Sequence, residues 1–544
     1  MTMGPLIVQS DKTALLEVDH PQASDARHDL AVFAELERAP EHVHTYRITK
    51  LGLWNARAAG HDSEFVLGVL DKYAKFAIPS SVRTDITETM GRYGRLAIQR
   101  SEDGELELYS TDAAVLAEAG HHRKISDLLG GRISQNAFRI QPWARGAVKQ
   151  ELLKLGWPAE DFAGYTEGTP HEISLQESAW KIRDYQSQAV DKFWAGGSGV
   201  VVLPCGAGKT IVGAAAMSVA KTNTLILVTN TVSARQWKAE LIRRTTLTDD
   251  EIGEYSGSMK EVKPVTIATY QILTTKRKNE YAHLELLNAK DWGLIVYDEV
   301  HLLPAPIFKM TAELQARRRL GLTATLVRED GKEGDVFSLI GPKRFDAPWK
   351  EIESQGYIAP ASCFEIRIDL PDSERMQYAV ASQDDRYRIA ASSEVKIPVI
   401  QKLINRHKGE PTLIIGQYLD QLESVSKGLG IPKITGETPV DERERLFGQF
   451  REGEITALVV SKVANFSVDL PEASVAIQIS GSYGSRQEEA QRLGRLLRPK
   501  ADGRSANFYT LIARDTVDQD FAQNRQRFLA EQGYSYEILD AVDL

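Results

Sequence analysis

The chain has 544 residues, 42% of them hydrophobic, and a formal net charge of −9, enough to bury several cores and to suggest three or four domains. Cys205 and Cys363 are its only cysteines, which excludes a disulfide framework or a cysteine-based zinc or iron–sulfur cluster and points to a reducing compartment. No run of eighteen apolar residues occurs, and no basic region followed by an apolar stretch opens the chain, so it reads as cytoplasmic and without a membrane segment.

Ile48 to Gly60, Asp62 to Phe76 and Ser80 to Arg92 predict three short helices, with Asp62 and Ser80 or Ser81 in capping positions. Tyr93–Gln99 and Glu105–Ser110 flank Ser101-Glu102-Asp103-Gly104, a hairpin turn. Helices followed by a hairpin suggest a winged-helix-like unit over residues 1–110. A smaller α/β unit is expected over 111–165, its clearest helix running from Ala144 to Leu155; His121, His122 and Trp143 read as ordinary surface or core residues. Thr166 to His171 is the predicted linker into a larger unit ending near residue 350.

Within that unit, Val200 to Val202 predict a buried strand and Ile211 to Ala220 a helix. The intervening Leu203, Pro204, Cys205, Gly206, Ala207, Gly208, Lys209 and Thr210 form a phosphate cradle. Gly206 and Gly208 carry no side chains to block the backbone, so amide groups can point at a phosphate beside the positive helix end. Lys209 supplies a mobile charge and Thr210 a hydroxyl ligand for Mg2+. A second apolar strand, Leu294 to Tyr297, runs into Asp298-Glu299-Val300-His301. Its carboxylates fall at a parallel strand's carboxyl end, where ligands collect: Asp298 is the expected metal partner and Glu299 the group that polarises water.

Pro348 to Pro360 is expected to connect to a second α/β unit over 351–544. Thr412 to Ile415 is a predicted strand; Leu446, Phe447 and Phe450 are spaced to share one helix face. Gln491, Arg495 and Arg498 follow, the arginines three apart and so on one face. Guanidinium groups entering a cleft from a different lobe than Lys209 would stabilise charge on a transferring phosphoryl group, an effect of roughly 10³ to 10⁵ in rate. Cradle and arginines together suggest a two-lobed, nucleotide-driven motor.

These motifs, with Thr323-Ala324-Thr325 and the order Gln491, Gly494, Arg495, Arg498, resemble superfamily 2 helicases. Arg183-Asp184-Tyr185-Gln186 and Gly321 to Asp330 resemble, within it, the bacterial XPB-like members of the XPB family of DNA repair helicases. The resemblance runs from about Ile182 to Lys500 and is weaker before that. It implies two RecA-like parallel-sheet motor domains behind a smaller α+β amino-terminal region, ATP as fuel, and Mg2+ as cofactor with Mn2+ as a substitute. It implies Gln186 on the adenine edge with Arg183 beside it; Thr229, Arg235, Gln236, Trp237, Thr269 and Gln271 on a DNA strand; and His301, Thr323, Ala324 and Thr325 as a relay between nucleotide and DNA. Arg328, Glu329 and Asp330 match the charged element linked to duplex separation. Lys462 and Asp469 match a motif touching DNA phosphates and nucleotide, although Asn465, Phe466 and Ser467 stand where a glycine is common. Residues 371–394 occupy the place of a thumb insertion, in short form.

The implied partner is DNA, a single strand beside a duplex junction, acted on by a monomer alongside a nuclease or other repair protein. A charge of −9 does not oppose this, since a motor grips few phosphates in a groove. The readings left open are a 3′–5′ helicase, a duplex translocase or remodelling ATPase that separates no strands, and a nucleotide-gated binding switch.

Overall fold

A computed structural model describes residues 4–39, 42–204, 206–277, 280–324, 333–347, 349–354, 360–461, 473–481, 505–531, 534 and 536–544. Two seven-stranded sheets, parallel throughout, dominate it. In the first, the strands lie side by side in the order Ile252–Tyr255, Val265–Thr269, Thr224–Val228, Leu294–Asp298, Arg318–Thr323, Gly199–Val202 and Lys343–Asp346. In the second, the order is Lys433–Ile434, Ala457–Ser461, Thr412–Gly416, Val475–Gln478, Ala506–Ala513, Ala361–Ile368 and Tyr536–Asp540. Central strands such as Thr224–Val228 and Thr412–Gly416 are buried along their whole length. That explains their unbroken β-branched and leucine runs, because helices cover both faces of a parallel sheet.

The amino-terminal region differs from the winged-helix expectation. Leu6–Val8, Thr13–Glu17, Ala34–Arg38 and Val43–Ile48 form a four-stranded antiparallel sheet, and helices Lys50–Ala58, Ser63–Tyr73 and Ser80–Arg92 share its core through Leu53, Val66, Leu70 and Ile86. Asp62 caps the second helix by accepting from the Phe65 amide at 2.8 Å; Pro79, not a serine, occupies the cap of the third. The hairpin Leu96–Arg100/Leu106–Tyr109 is no wing on these helices. Its strands pair with Ala159–Asp161 and Ala137–Ile140 in a separate five-stranded sheet, covered by helix Arg145–Leu155. A hairpin's own turn is visible in sequence; the partners of its outer edges are not.

Both amino-terminal units touch the motor. Gly146 is so close to Ala312 that an added Cβ would lie 2.5 Å from its carbonyl oxygen, and the Lys343 amide donates to Asn55 Oδ1 at 2.9 Å. Helix Val517–Glu531 of the second lobe places Ala530 in the amino-terminal core. Residues 371–394 hold two helices, Asp372–Val380 and Gln383–Ser392. The second buries Tyr387, Ala390 and Ala391; the first buries nothing.

Candidate functional site

Three neighbouring parallel strands, Leu294–Asp298, Arg318–Thr323 and Gly199–Val202, end side by side. Their carboxyl ends therefore bring the loop 203–210, the Asp298-Glu299 pair and Thr323-Ala324 to one place. The Leu203 amide continues the ladder, donating to the Thr323 carbonyl at 2.9 Å. Gly206 and Gly208 have φ of 83° and 82°, the left-handed region where a side chain is strained. At Gly208 a Cβ would also lie 2.4 Å from Gln186 Nε2. Helix Lys209–Ala220 starts directly from Gly208 without a side-chain cap, presenting the amide donors and positive dipole that bind anions.

Lys209 Nζ lies 3.0 Å from Glu299 Oε1. His301 Nδ1 is 3.5 Å from Glu299 Oε2 and 2.6 Å from Thr323 Oγ1. One connected set of polar groups thus runs from the loop through the acidic strand end to Thr323 on the next strand. Glu299 itself is left-handed, with φ 48°, a conformation that costs of order 1–3 kcal/mol and persists where the surroundings impose it. Burial drives its carboxyl pKa upward, but the charges of Lys209 and His301 and the Ala324 amide outweigh that and hold it below the ordinary value. Asp298 goes the other way: burial and the charge on Glu299 push it up to about 6, against Lys209 and the Trp237 N–H. Adjacent carboxyls with opposite shifts have different jobs available to them. The ionised Glu299 can accept a proton. Asp298 is buried with its charge undercompensated, so a divalent cation would favour its ionised form, and the hard oxygens of Asp298 and Thr210 suit Mg2+.

The segment expected to read an adenine edge does something else in this conformation. Gln186 is buried; its Nε2 donates to the Ala207 carbonyl at 2.9 Å, and its Oε1 accepts from the Arg183 amide at 3.0 Å. Tyr185 OH donates to the same Ala207 carbonyl at 2.7 Å, and Arg183 Nη1 donates to that hydroxyl at 3.1 Å. Gln186 is the third residue of its helix, and its bonds back to the Arg183 amide and across to the Ala207 carbonyl commit both ends of its own amide. The segment clamps the loop backbone. Pro204 and Ala207 are buried beneath it, while Cys205 lies outside the described residues.

Family models match the chain in three places: "ERCC3/RAD25/XPB C-terminal helicase" over residues 352–543, "Type III restriction enzyme, res subunit" over 179–328, and "Helicase conserved C-terminal domain" over 6–134. A "DNA 3'-5' helicase XPB" of Kineococcus radiotolerans is 67% identical over 544 residues, covering 100% of this chain and 98% of that protein. The Mycobacterium tuberculosis protein of the same name is 63% identical, covering 100% and 99%. The chain belongs to the XPB family of superfamily 2 helicases. More distant members include a Saccharomyces cerevisiae "General transcription and DNA repair factor IIH helicase/translocase subunit XPB/SSL2", 30% identical and covering 98% of this chain and 72% of that one.

The XPB family positions expected on a DNA strand separate into two groups. Arg235, Gln236 and Gln271 are exposed; the Arg235 side chain is 69% accessible and 3.9 Å from Glu254. Thr229 is partly buried beside Ser233, and buried Thr269 caps the turn Tyr270–Leu273. Trp237 does not belong on a strand-contact surface. It is 2% exposed, stands over Gly213, and donates from Nε1 to Asp298 Oδ2 at 2.9 Å. Ala234, Trp237 and Leu241, all buried on helix Thr231–Arg244, fall at the three- and four-residue spacing of a core stripe, the sequence signal that places Trp237 inside. Tyr270 completes this buttress by donating to the Asp298 carbonyl at 2.7 Å. Thr325, Arg328, Glu329, Asp330, Lys462, Asp469, Gln491, Arg495 and Arg498 lie outside the described residues.

This position for Trp237 has a measurable outcome. Trp237→Phe removes one hydrogen bond to a buried carboxylate and leaves a void, costing about 2–4 kcal/mol of stability. Thermal unfolding should show the loss, while the dependence of DNA affinity on salt keeps its slope. A shallower slope with unchanged stability would return Trp237 to the strand surface.

Proposed function

We infer that the protein is an ATP-dependent DNA helicase that moves 3′ to 5′ and separates strands, as the names of its relatives at 63–67% identity say of them. The observation that carries the catalytic part is the Lys209–Glu299–His301–Thr323 set at the ends of three adjacent strands. Lys209 and the loop amides bind the triphosphate. Glu299, ionised and held by its neighbours, takes the proton of the attacking water, and ordering that water needs its Lys209 contact to yield to nucleotide. Thr210 and Asp298 hold Mg2+, with Mn2+ as a substitute; the metal supplies charge neutralisation at the phosphate oxygens. His301 and Thr323 carry the state of Glu299 to the neighbouring strand end, from which the chain continues to Thr325.

Gln491, Arg495 and Arg498 complete the site from the second lobe, so hydrolysis follows lobe closure. Arg235, Gln236, Gln271 and Lys462 contact the strand, and Asp469 the nucleotide. The chain acts as a monomer at a single-strand/duplex junction, in repair beside a nuclease. The amino-terminal unit ends before the hairpin, which belongs with residues 111–165; residues 166–350 and 351–544 form the two motor domains.

Steady-state ATPase measured with and without single-stranded DNA tests this reading against a binding switch. Multiple-turnover hydrolysis stimulated by DNA is the expected result; a single turnover, unchanged by DNA, would favour the switch. Arg328→Ala is expected to reduce unwinding more than it reduces ATP hydrolysis, and equal losses in the two assays would remove Arg328 from strand separation.

A further inference from the structure

A cavity of about 450 Å³ lies between the 93–165 unit and the first motor lobe. It sits against Gly196 to Ser198 and Arg318, at the amino ends of strands Gly199–Val202 and Arg318–Thr323, opposite the edge of the sheet that holds the phosphate loop. Its size falls within the roughly 300–1,000 Å³ common for small-molecule sites.

The charges around it do not balance. Lys149, Arg318, Arg319 and Arg344 line it, against two carboxylates, Glu160 and Asp161. Asp161 is already taken: Lys149 Nζ donates to it at 2.8 Å, and Arg145, from behind the wall, holds it at 2.9 and 2.7 Å. Arg319 spends its guanidinium on backbone carbonyls, including those of Leu339 and Gln315 at 2.8 Å. Arg344 does the same with Ser198 and Gly196, at 2.8 and 2.9 Å. Arg57 acts on Glu160 from outside the lining. Arg318 is different. Its guanidinium lies over the Trp194 ring at 4.0 Å and the Tyr165 ring at 5.1 Å, and among the described residues it makes no hydrogen bond and no ion pair.

A planar guanidinium resting on two aromatic rings, with no hydrogen bond spent among the described residues, is a preorganised fork for a phosphate or carboxylate. The lining carries two more positive than negative groups, and a phosphate monoester brings about −1.5 to −2 near neutral pH. Burial, with Arg319 and Arg145 nearby, lowers the Lys149 ammonium to about 8 in spite of Asp161, which fits a site short of negative charge.

We propose that this cavity is a second binding site, taking a small phosphate monoester or pyrophosphate on Arg318 at the joint between the 93–165 unit and the first lobe. Its occupant would sit in that joint and, binding only the folded chain, stabilise it by mass action.

The test is a calorimetric titration of the full chain with inorganic pyrophosphate in EDTA, so that the phosphate loop lacks its metal. The expected result is a site with one-to-one stoichiometry, weakened roughly tenfold or more by Arg318→Gln, the loss of one charge-assisted pair. Glu160→Gln, which removes an acid from the lining, should tighten it. Melting temperatures without pyrophosphate control for folding, since the Arg318 guanidinium holds no hydrogen bond among the described residues and its backbone bond to Gly293 is unchanged by the substitution. Absence of binding, or equal affinity in wild type and Arg318→Gln, would overturn the proposal. So would weaker binding in Glu160→Gln, a readout that holds even where Arg318→Gln fails to fold.

Discussion

Lys209→Ala is expected to abolish ATP turnover while leaving a folded protein. The lysine is the cation within 3.0 Å of Glu299 at the start of the uncapped helix, and removing such a preorganised charge from phosphoryl transfer costs roughly 10²- to 10³-fold or more in rate. Stability should fall only modestly. A fully buried ion pair stripped of one partner loses about 3–5 kcal/mol, but the side chains of Lys209 and Glu299 are 11% and 20% exposed, and Glu299 keeps His301 and the Ala324 amide. A loss of about 1–3 kcal/mol is therefore expected, readable by thermal unfolding alongside ATPase rates. A folded variant hydrolysing at the wild-type rate would remove the loop from the chemistry.

Glu299→Gln should give the second large effect, stopping hydrolysis while nucleotide binding survives. Glutamine fills the same volume and still accepts hydrogen bonds, so the strand end keeps its shape. It cannot take a proton, and losing a positioned base costs roughly 10²- to 10⁴-fold. The change also removes the negative neighbour that helps to hold Asp298 up to about 6, so Asp298 becomes easier to ionise and metal–nucleotide binding should be retained or strengthened. Nucleotide affinity and single-turnover hydrolysis measured on the same preparation separate these effects. A normal hydrolysis rate would exclude Glu299 as the base, and lost affinity would assign it to binding instead.

The motor was legible in the sequence because its signals are local. Val200 to Val202 and Leu294 to Tyr297 are apolar runs with nothing to alternate against, and each is followed at once by residues that make chemical sense at a strand end. Interactions that cross the sheet were less visible. Nothing in sequence spacing ties His301 Nδ1 to Thr323 Oγ1 at 2.6 Å, or commits Gln186 to the Ala207 carbonyl; the first link comes from strand order, the second from helix Asp184–Gly196 packing against helix Lys209–Ala220.

The amino-terminal sheet went unread for a different reason. On Val43–Ile48 the inward positions are His44, Tyr46 and Ile48, so a histidine, whose pKa burial and Arg27 lower to about 4, interrupts the apolar alternation. Leu6–Val8 is only three residues long. Trp237 illustrates the reverse error: a family motif assigned it to DNA, while the stripe it forms with Ala234 and Leu241 already pointed to the core.

Strand displacement on two duplexes, one with a 3′ single-stranded tail and one with a 5′ tail, tests the central claim most directly. Each is run with ATP and Mg2+, with the metal withheld, and with Glu299→Gln. Release from the 3′-tailed duplex alone, dependent on ATP and Mg2+ and lost in Glu299→Gln, is the predicted result. Vigorous DNA-stimulated ATP hydrolysis without release from either duplex would contradict it and leave a translocase that separates no strands.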